Sequence, residues 1–189
     1  MIDLNGAMTK LERSVGPINL AVLNAAIYEP EGDDGFDGEA ARETIKVNVL
    51  GTVNCLAAVL PRMRHRGGGH IALMASAAGY RGLPHAAAYG ASRAAVLSLA
   101  ESLKFELQPA GITVQVITPG FVDTQLTAKN TFPMPFIITP DYAAQRIASG
   151  LRTDSFEITF PRRFTYMMKL LRLLPYRLYF PLVRRITGA

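Results

Sequence analysis

Four short apolar runs, each separated from the next by a longer stretch of helical periodicity, constrain this chain more than any other feature. The runs are "INLAVLNAA" (18–26), "HIALMAS" (70–76), "ITVQVITPG" (112–120) and "FEITF" (156–160). Runs of this length, rich in Ile, Val and Leu, read as buried strands. Between the first two, Ala41, Ile45, Val49, Val53, Leu56 and Leu60 recur three or four apart, which predicts a helix over 39–65. Pro61 is expected to kink or end that helix, and "RGGG" (66–69) forms its exit. A second helix runs from about Ala87 to Leu107 and stops at "QPAG". Thr139 caps a third, from Pro140 to about Leu151, with proline at its first position. Strands alternating with helices of this length lie parallel and are joined by right-handed crossovers. The expected fold class is therefore α/β, an open parallel sheet flanked by helices.

Size and charge narrow the reading further. The 189 residues suffice for one domain with a substantial core, and 49% apolar against 19% charged residues is a globular balance. The net charge of +5 belongs to one end. Residues 161–189 hold seven cations and no acid, leaving 13 cations against 15 acids in 1–160. A body near neutrality argues against nucleic acid as a partner. Cys55, the only cysteine, sits in an apolar run and reads as a buried, inert thiol; no disulfide is possible, which suits a reducing compartment. The opening "MIDLNGAMTKLERSVG" lacks the basic and apolar regions of a signal peptide, and no uninterrupted apolar stretch is long enough to span a bilayer. A cytoplasmic chain, at most peripheral at a membrane, is expected. No metal site is read.

Open α/β sheets bind ligands beyond the carboxyl ends of their strands. Here those ends are Asn24-Ala25-Ala26, Ser76-Ala77-Ala78-Gly79 and Thr118-Pro119-Gly120, all small or polar. Close by in sequence, "AAAYGASRAAVL" (86–97) places Tyr89 and Arg93 four apart on one helical face. A phenol of pKa about 10 is a poor proton shuttle at neutral pH, and a fixed cation beside it favours phenolate. Ser76, thirteen residues earlier, ends the preceding strand, where its hydroxyl can polarise a carbonyl that Tyr89 protonates. Asn48 lies inside the first long helix, a poor place for an amide without a task.

"VLNAA", "VNVLGT", "IALMASAAGYRGLPHAAAYGASRAA" and "GITVQVITPGFVDT" occur in the order and spacing of the short-chain dehydrogenases/reductases, which residues 5–125 resemble closely and the rest more loosely. The resemblance implies the C-terminal part of a Rossmann-like doubly wound sheet, NAD or NADP as coenzyme, and hydride transfer between nicotinamide and a carbonyl or secondary alcohol. It makes Tyr89 the general acid/base, Ser76 the residue that holds the reacting oxygen, and Asn48 the one that orders a water in the proton relay. Asn24, Ala25 and Ala26 would lie on the adenosine side of the coenzyme, Tyr89 and Arg93 at its ribose, and Pro119, Gly120, Val122 and Thr124 at its carboxamide. Pairing of the 39–65 and 87–107 helices across a homodimer or homotetramer is also implied.

Three departures stand out. The family's lysine, four residues after the tyrosine, is Arg93 here; the charge is kept, but a planar guanidinium does not readily release a proton. Ala26 replaces a glycine, adding a methyl toward the coenzyme. The family's opening strand, Gly-rich turn and helix, about 60 residues that receive the pyrophosphate and discriminate NAD from NADP, have no counterpart. On this reading residues 1–160 form a partial dehydrogenase domain, and the strand at 18–24 becomes a sheet edge.

The remaining segment, 161–189, sets Phe164, Met167, Met168, Leu170, Leu171, Leu174, Leu178 and Leu182 among the seven cations. It reads as an amphipathic membrane-surface or partner-binding segment, or as a helix packed on the body with a solvated basic face. Pro175 and Pro181 argue against one straight helix. Two functions stay open: an oxidoreductase acting on a small, lipophilic carbonyl or alcohol, and a catalytically silent dimerising or membrane-surface protein of the same ancestry.

Overall fold

The structure, a computed structural model, describes residues 3–30, 35–130 and 132–188. Helix α1 (Leu4–Val15) leads into strand β1 (Leu20–Leu23), followed by α2 (Gly38–Ile45), a π-helical turn (Lys46–Leu50) and α3 (Gly51–Arg66). Strand β2 (Gly69–Met74), α4 (Ala87–Leu107), β3 (Ile112–Pro119), α5 (Pro140–Gly150) and β4 (Glu157–Phe160) come next, and α6 (Arg162–Leu173) and α7 (Tyr176–Thr187) close the chain. The four strands form one parallel sheet in the order β1-β2-β3-β4.

Alternation along the strands sends side chains to two different cores. Ile71 and Leu73 of β2 and Val114 and Val116 of β3 pack with Val59 and Met63 of α3 and Val96, Ala100 and Leu107 of α4. Phe164 and Met168 of α6 belong to the same cluster. On the opposite face Ala72, Ile117, Ile158 and Phe160 pack with Ala143 of α5. That second layer stops short of β1: Ala21 and Leu23 pack inward, while Leu20 and Val22 on the other face are exposed. Among the described residues β1 has one strand neighbour, so it is the expected edge.

Several expectations need correction. β1 is four residues long, and Asn24, Ala25 and Ala26 lie beyond it. Pro61 does not end its helix, which continues to Arg66 and stops at Gly67 in the left-handed conformation (φ 70°). Pro61 and Ala57 are both on the exposed side, so the carbonyl deprived of its N–H partner faces water. The same holds at Pro181, which sits inside α7, whereas Pro175 does separate α6 from α7. Cys55 is half-buried and not a core thiol. The helical stretch Gly38–Arg66 is long and apolar enough to cross a membrane by length and composition, yet it contributes Asn48, Leu56, Val59 and Met63 to the interior.

Candidate active site

The carboxyl ends of β2 and β3 and the segment that follows β1 meet α4, and the sequence arranges that meeting through small residues. Ser76 leaves β2 in an extended conformation, and its Oγ accepts the Ala78 N–H at 3.2 Å, opening a tight turn over Ala77–Gly79. A Cβ on Gly79 would stand 2.7 Å from the backbone carbon of Arg93, so only glycine lets this turn rest against α4. Gly90 meets the same turn at the Ala78 carbonyl. The small-residue run around Tyr89 therefore serves the turn that carries Ser76, while Ala91, Ala94 and Ala95 point outward.

Asn48 lies in the π-helical turn at 0% exposure. Its Oδ1 accepts the Ile27 N–H at 2.8 Å, and its Nδ2 donates to the Ile27 carbonyl at 2.9 Å and to Ser92 Oγ at 3.0 Å. Ser92 in turn donates to the Tyr89 carbonyl at 2.7 Å. One amide thus ties the segment after β1 to the turn of α4 that carries Tyr89. The buried ring of Tyr28 meets that of Tyr89 edge-on, centroids 5.0 Å apart. Neither Tyr28 nor Ser92 was anticipated; the signal for both lies in distances, not spacing.

Arg93 is 1% exposed, with its guanidinium carbon 5.1 Å from the Tyr89 ring centroid. Nη1 donates to the Met74 carbonyl at the end of β2, 2.9 Å away, and buried Nε and Nη2 have no hydrogen-bond partner among the described residues. Burial pushes the arginine's pKa down, while neighbouring Tyr89 works the other way. The cation anticipated beside the phenol is present; its fixed partner is a strand carbonyl.

Ser76, Tyr89 and Gly120 line one cavity of about 550 Å³. Its other walls are mostly apolar: Phe121, Phe132, Phe164, Met168, Leu171 and Val183 among them. Asn48 and Arg93 stand behind this surface, not on it, and Asn24 and Ala25 are exposed at the free end of β1. Pro119, Val122 and Thr124 lie at and beyond the end of β3; Val122 bridges to Ile138, and Thr127 Oγ1 donates to its carbonyl. Ala26 follows β1, one residue before the Asn48-bound Ile27.

The family profile described as short chain dehydrogenase matches residues 3–133. The chain belongs to the short-chain dehydrogenases. An uncharacterised oxidoreductase of Myxococcus xanthus is 36% identical over 98% of this chain and 76% of its own length. Human estradiol 17-beta-dehydrogenase 11 is 27% identical, and this chain spans 63% of it. Among solved structures, a short chain dehydrogenase of Burkholderia cenocepacia superposes over 100% of this chain and 79% of its own (TM-score 0.79, 23% identity). A gluconate 5-dehydrogenase of the same organism, solved with NADP and tartrate, covers 66% of this chain and 49% of its own length (TM-score 0.62, 29% identity). The solved structure of the Burkholderia short chain dehydrogenase shares the α/β fold described above, and this chain spans 59–63% of the estradiol and 17-beta-hydroxysteroid dehydrogenases it matches.

Whether the residues here suit a dinucleotide is read from the orphaned donors of Arg93. Two N–H groups of Arg93 lie beside Tyr89 without acceptors, donors of the kind ribose hydroxyls satisfy, but they stand behind the cavity wall. The pyrophosphate end differs. Among the described residues no strand runs through a Gly-rich turn into a helix, since Gly67–Gly69 closes α3 and opens β2.

Proposed function

We propose that this chain interconverts a carbonyl and a secondary alcohol, with Tyr89 moving the proton and Ser76 holding the reacting oxygen. The observation that carries the reading is that both hydroxyls line one largely apolar cavity, with a buried cation behind the phenol. NAD or NADP, when bound, supplies or receives the hydride, and Tyr89 and Arg93 would hold its ribose. Asn24, Ala25 and Ala26 would border its adenosine side, and Pro119, Gly120, Val122 and Thr124 its carboxamide.

Tyr89 accepts the alcohol proton in oxidation and returns it in reduction, with the Arg93 guanidinium 5.1 Å from its ring centroid. Ser76 fixes the oxygen that gains charge as the carbonyl is reduced. Asn48, whose Oδ1 keeps a second lone pair, orders a water in the proton relay in this reading. The exposed faces of the π-helical turn, α3 and α4, with Leu50, Val53 and Phe105, are the pairing surface of a homo-oligomer in this reading, and α6 and α7 are its contact with a membrane surface.

The test is reduction of butanone and dodecanone by NADH or NADPH, comparing the chain with Tyr89→Phe in preparations of matched light-scattering mass. The phenol supplies the proton in this reading, so the variant is expected to lose about 10²- to 10⁴-fold in kcat while melting within about 2 °C of the parent. A variant keeping more than about a tenth of the parent rate overturns the role of Tyr89. A parent chain that transfers no hydride at all supports the catalytically silent alternative.

A further inference from the structure

Four large apolar residues that line the cavity are themselves exposed, Phe132, Met167, Leu182 and Ile186, as are His85 and Thr187 beside them. A wall residue that is also open to solvent marks the rim, so the mouth lies between α6, α7 and the 132–137 loop. The surroundings of this mouth are unusual for a soluble surface. At about 100° per residue, Leu178, Leu182, Ile186, Tyr179, Val183, Tyr176 and Phe180 form an apolar stripe of about 200° on α7. The body covers only its centre, burying Tyr179 and Val183. Leu178 and Ile186, 59% and 67% exposed, share one bare flank with Leu182, and Met167 and Leu170 extend the patch from α6. Phe136 and Ile137 of the loop are exposed as well.

Charge decides what suits this patch. Arg185 borders the Leu178 flank of α7, and Arg163 lies one turn before Met167 on α6; both are exposed and in none of the ion pairs among the described residues. With no acid anywhere in 161–189, nothing there opposes an anionic surface.

We infer that the mouth docks on an anionic lipid surface and that the substrate, an apolar ketone or secondary alcohol, enters the cavity from the lipid without crossing water. The carbonyl chemistry rests on the function proposed above; the docking and the uptake stand on the patch and the cavity alone. Apolar walls reward each buried methylene, whereas Ser76 and Tyr89 present hydroxyls for the single polar end.

The chain has no tryptophan, so Ile186→Trp places a lone reporter at the mouth. Vesicles of phosphatidylcholine with and without phosphatidylglycerol are then compared. Blue-shifted emission quenched by brominated acyl chains is expected on the anionic vesicles, with binding to neutral ones at least about tenfold weaker. Arg163→Glu with Arg185→Glu is expected to cost about twentyfold or more. Leu178→Trp, on the same stripe, repeats the reading should the first variant fail to fold. Water-like emission from vesicle-bound protein, or equal binding after charge reversal, overturns the docking. Emission already blue-shifted in buffer and reversed on dilution overturns it too, since a second copy would then cover the patch. For uptake, a fluorescent naphthyl ketone should bind saturably in buffer and be displaced by dodecanone at least about a hundredfold better than by butanone. Equal displacement overturns the apolar substrate. These are binding measurements without coenzyme, so they stand or fall separately from hydride transfer.

Discussion

Asn48 makes three hydrogen bonds from a fully buried amide, two of them to the backbone of a single residue, Ile27. Removing the amide leaves the N–H and C=O of half-buried Ile27 without their partner, each costing up to about 1–3 kcal/mol. Asn48→Ala is expected to lower the unfolding free energy by about 3 kcal/mol, seen as a drop in the urea midpoint at unchanged m-value. A loss below about 1 kcal/mol would mean that water takes over these contacts. From sequence, Asn48 stood out because an amide inside a helix needs a reason. Its partners, 21 and 44 residues away, could not be read there. Arg93 is similar: its spacing from Tyr89 foretold a cation beside the phenol, but the bond to the Met74 carbonyl depends on how α4 crosses β2.

Among the elements, the C-terminal helix pair depends on one side chain from the site loop. Arg81 Nη1 donates to the carbonyls of Leu171, Arg172 and Leu174, satisfying the end of α6, and its guanidinium lies over the rings of Tyr176 and Tyr179. Tyr179 OH donates to the neighbouring Gly82 carbonyl. These contacts hold α6 and α7 as the wall of the cavity that contains Ser76. Arg81→Ala should speed amide exchange across 162–187 by about 30-fold or more, through loss of charge-assisted caps and cation–π contacts, and leave β2 and β3 protected as before. Uniform loss of protection through the sheet would instead show that α6 and α7 unfold only with the whole.

At the scale of the whole molecule, Glu157 links β4 to the rest. It accepts hydrogen bonds from Tyr80 and Thr118 and pairs with Lys169 of α6. Burial pushes its carboxyl up, but the bonds from Lys169, Tyr80 and Thr118 outweigh burial and hold it below the usual range. A carboxyl depressed by folding stabilises the native state above its unfolded pKa, about 4.3, and that contribution is lost as pH falls through the lower folded value. Glu157→Gln should therefore be less stable at neutral pH and show a flatter decline below about pH 4 in thermal melts. An unchanged acid limb would place the pH dependence elsewhere. Tyr80, whose pKa is raised by burial and by Glu157, acts on the opposite limb: its contribution fades as pH climbs past the ordinary phenol value of about 10.

By itself the sequence determined the alternation of strands and helices, the parallel sheet and the helix carrying Tyr89 and Arg93. Each of these follows from local periodicity, caps and turn residues, which act over a few positions. It also pointed to the family, because several motifs agree in order and spacing. Only the tertiary structure decided that helices continue through Pro61 and Pro181, since a proline's cost depends on whether the freed carbonyl meets water. Likewise, only folding joined Asn48 to Ile27 and Ser92, set Gly79 against Arg93, and bent the basic C-terminal segment into the wall of an apolar cavity. Those contacts link residues far apart in the chain, where the energy of burial, and not the spacing of residues, selects the partner.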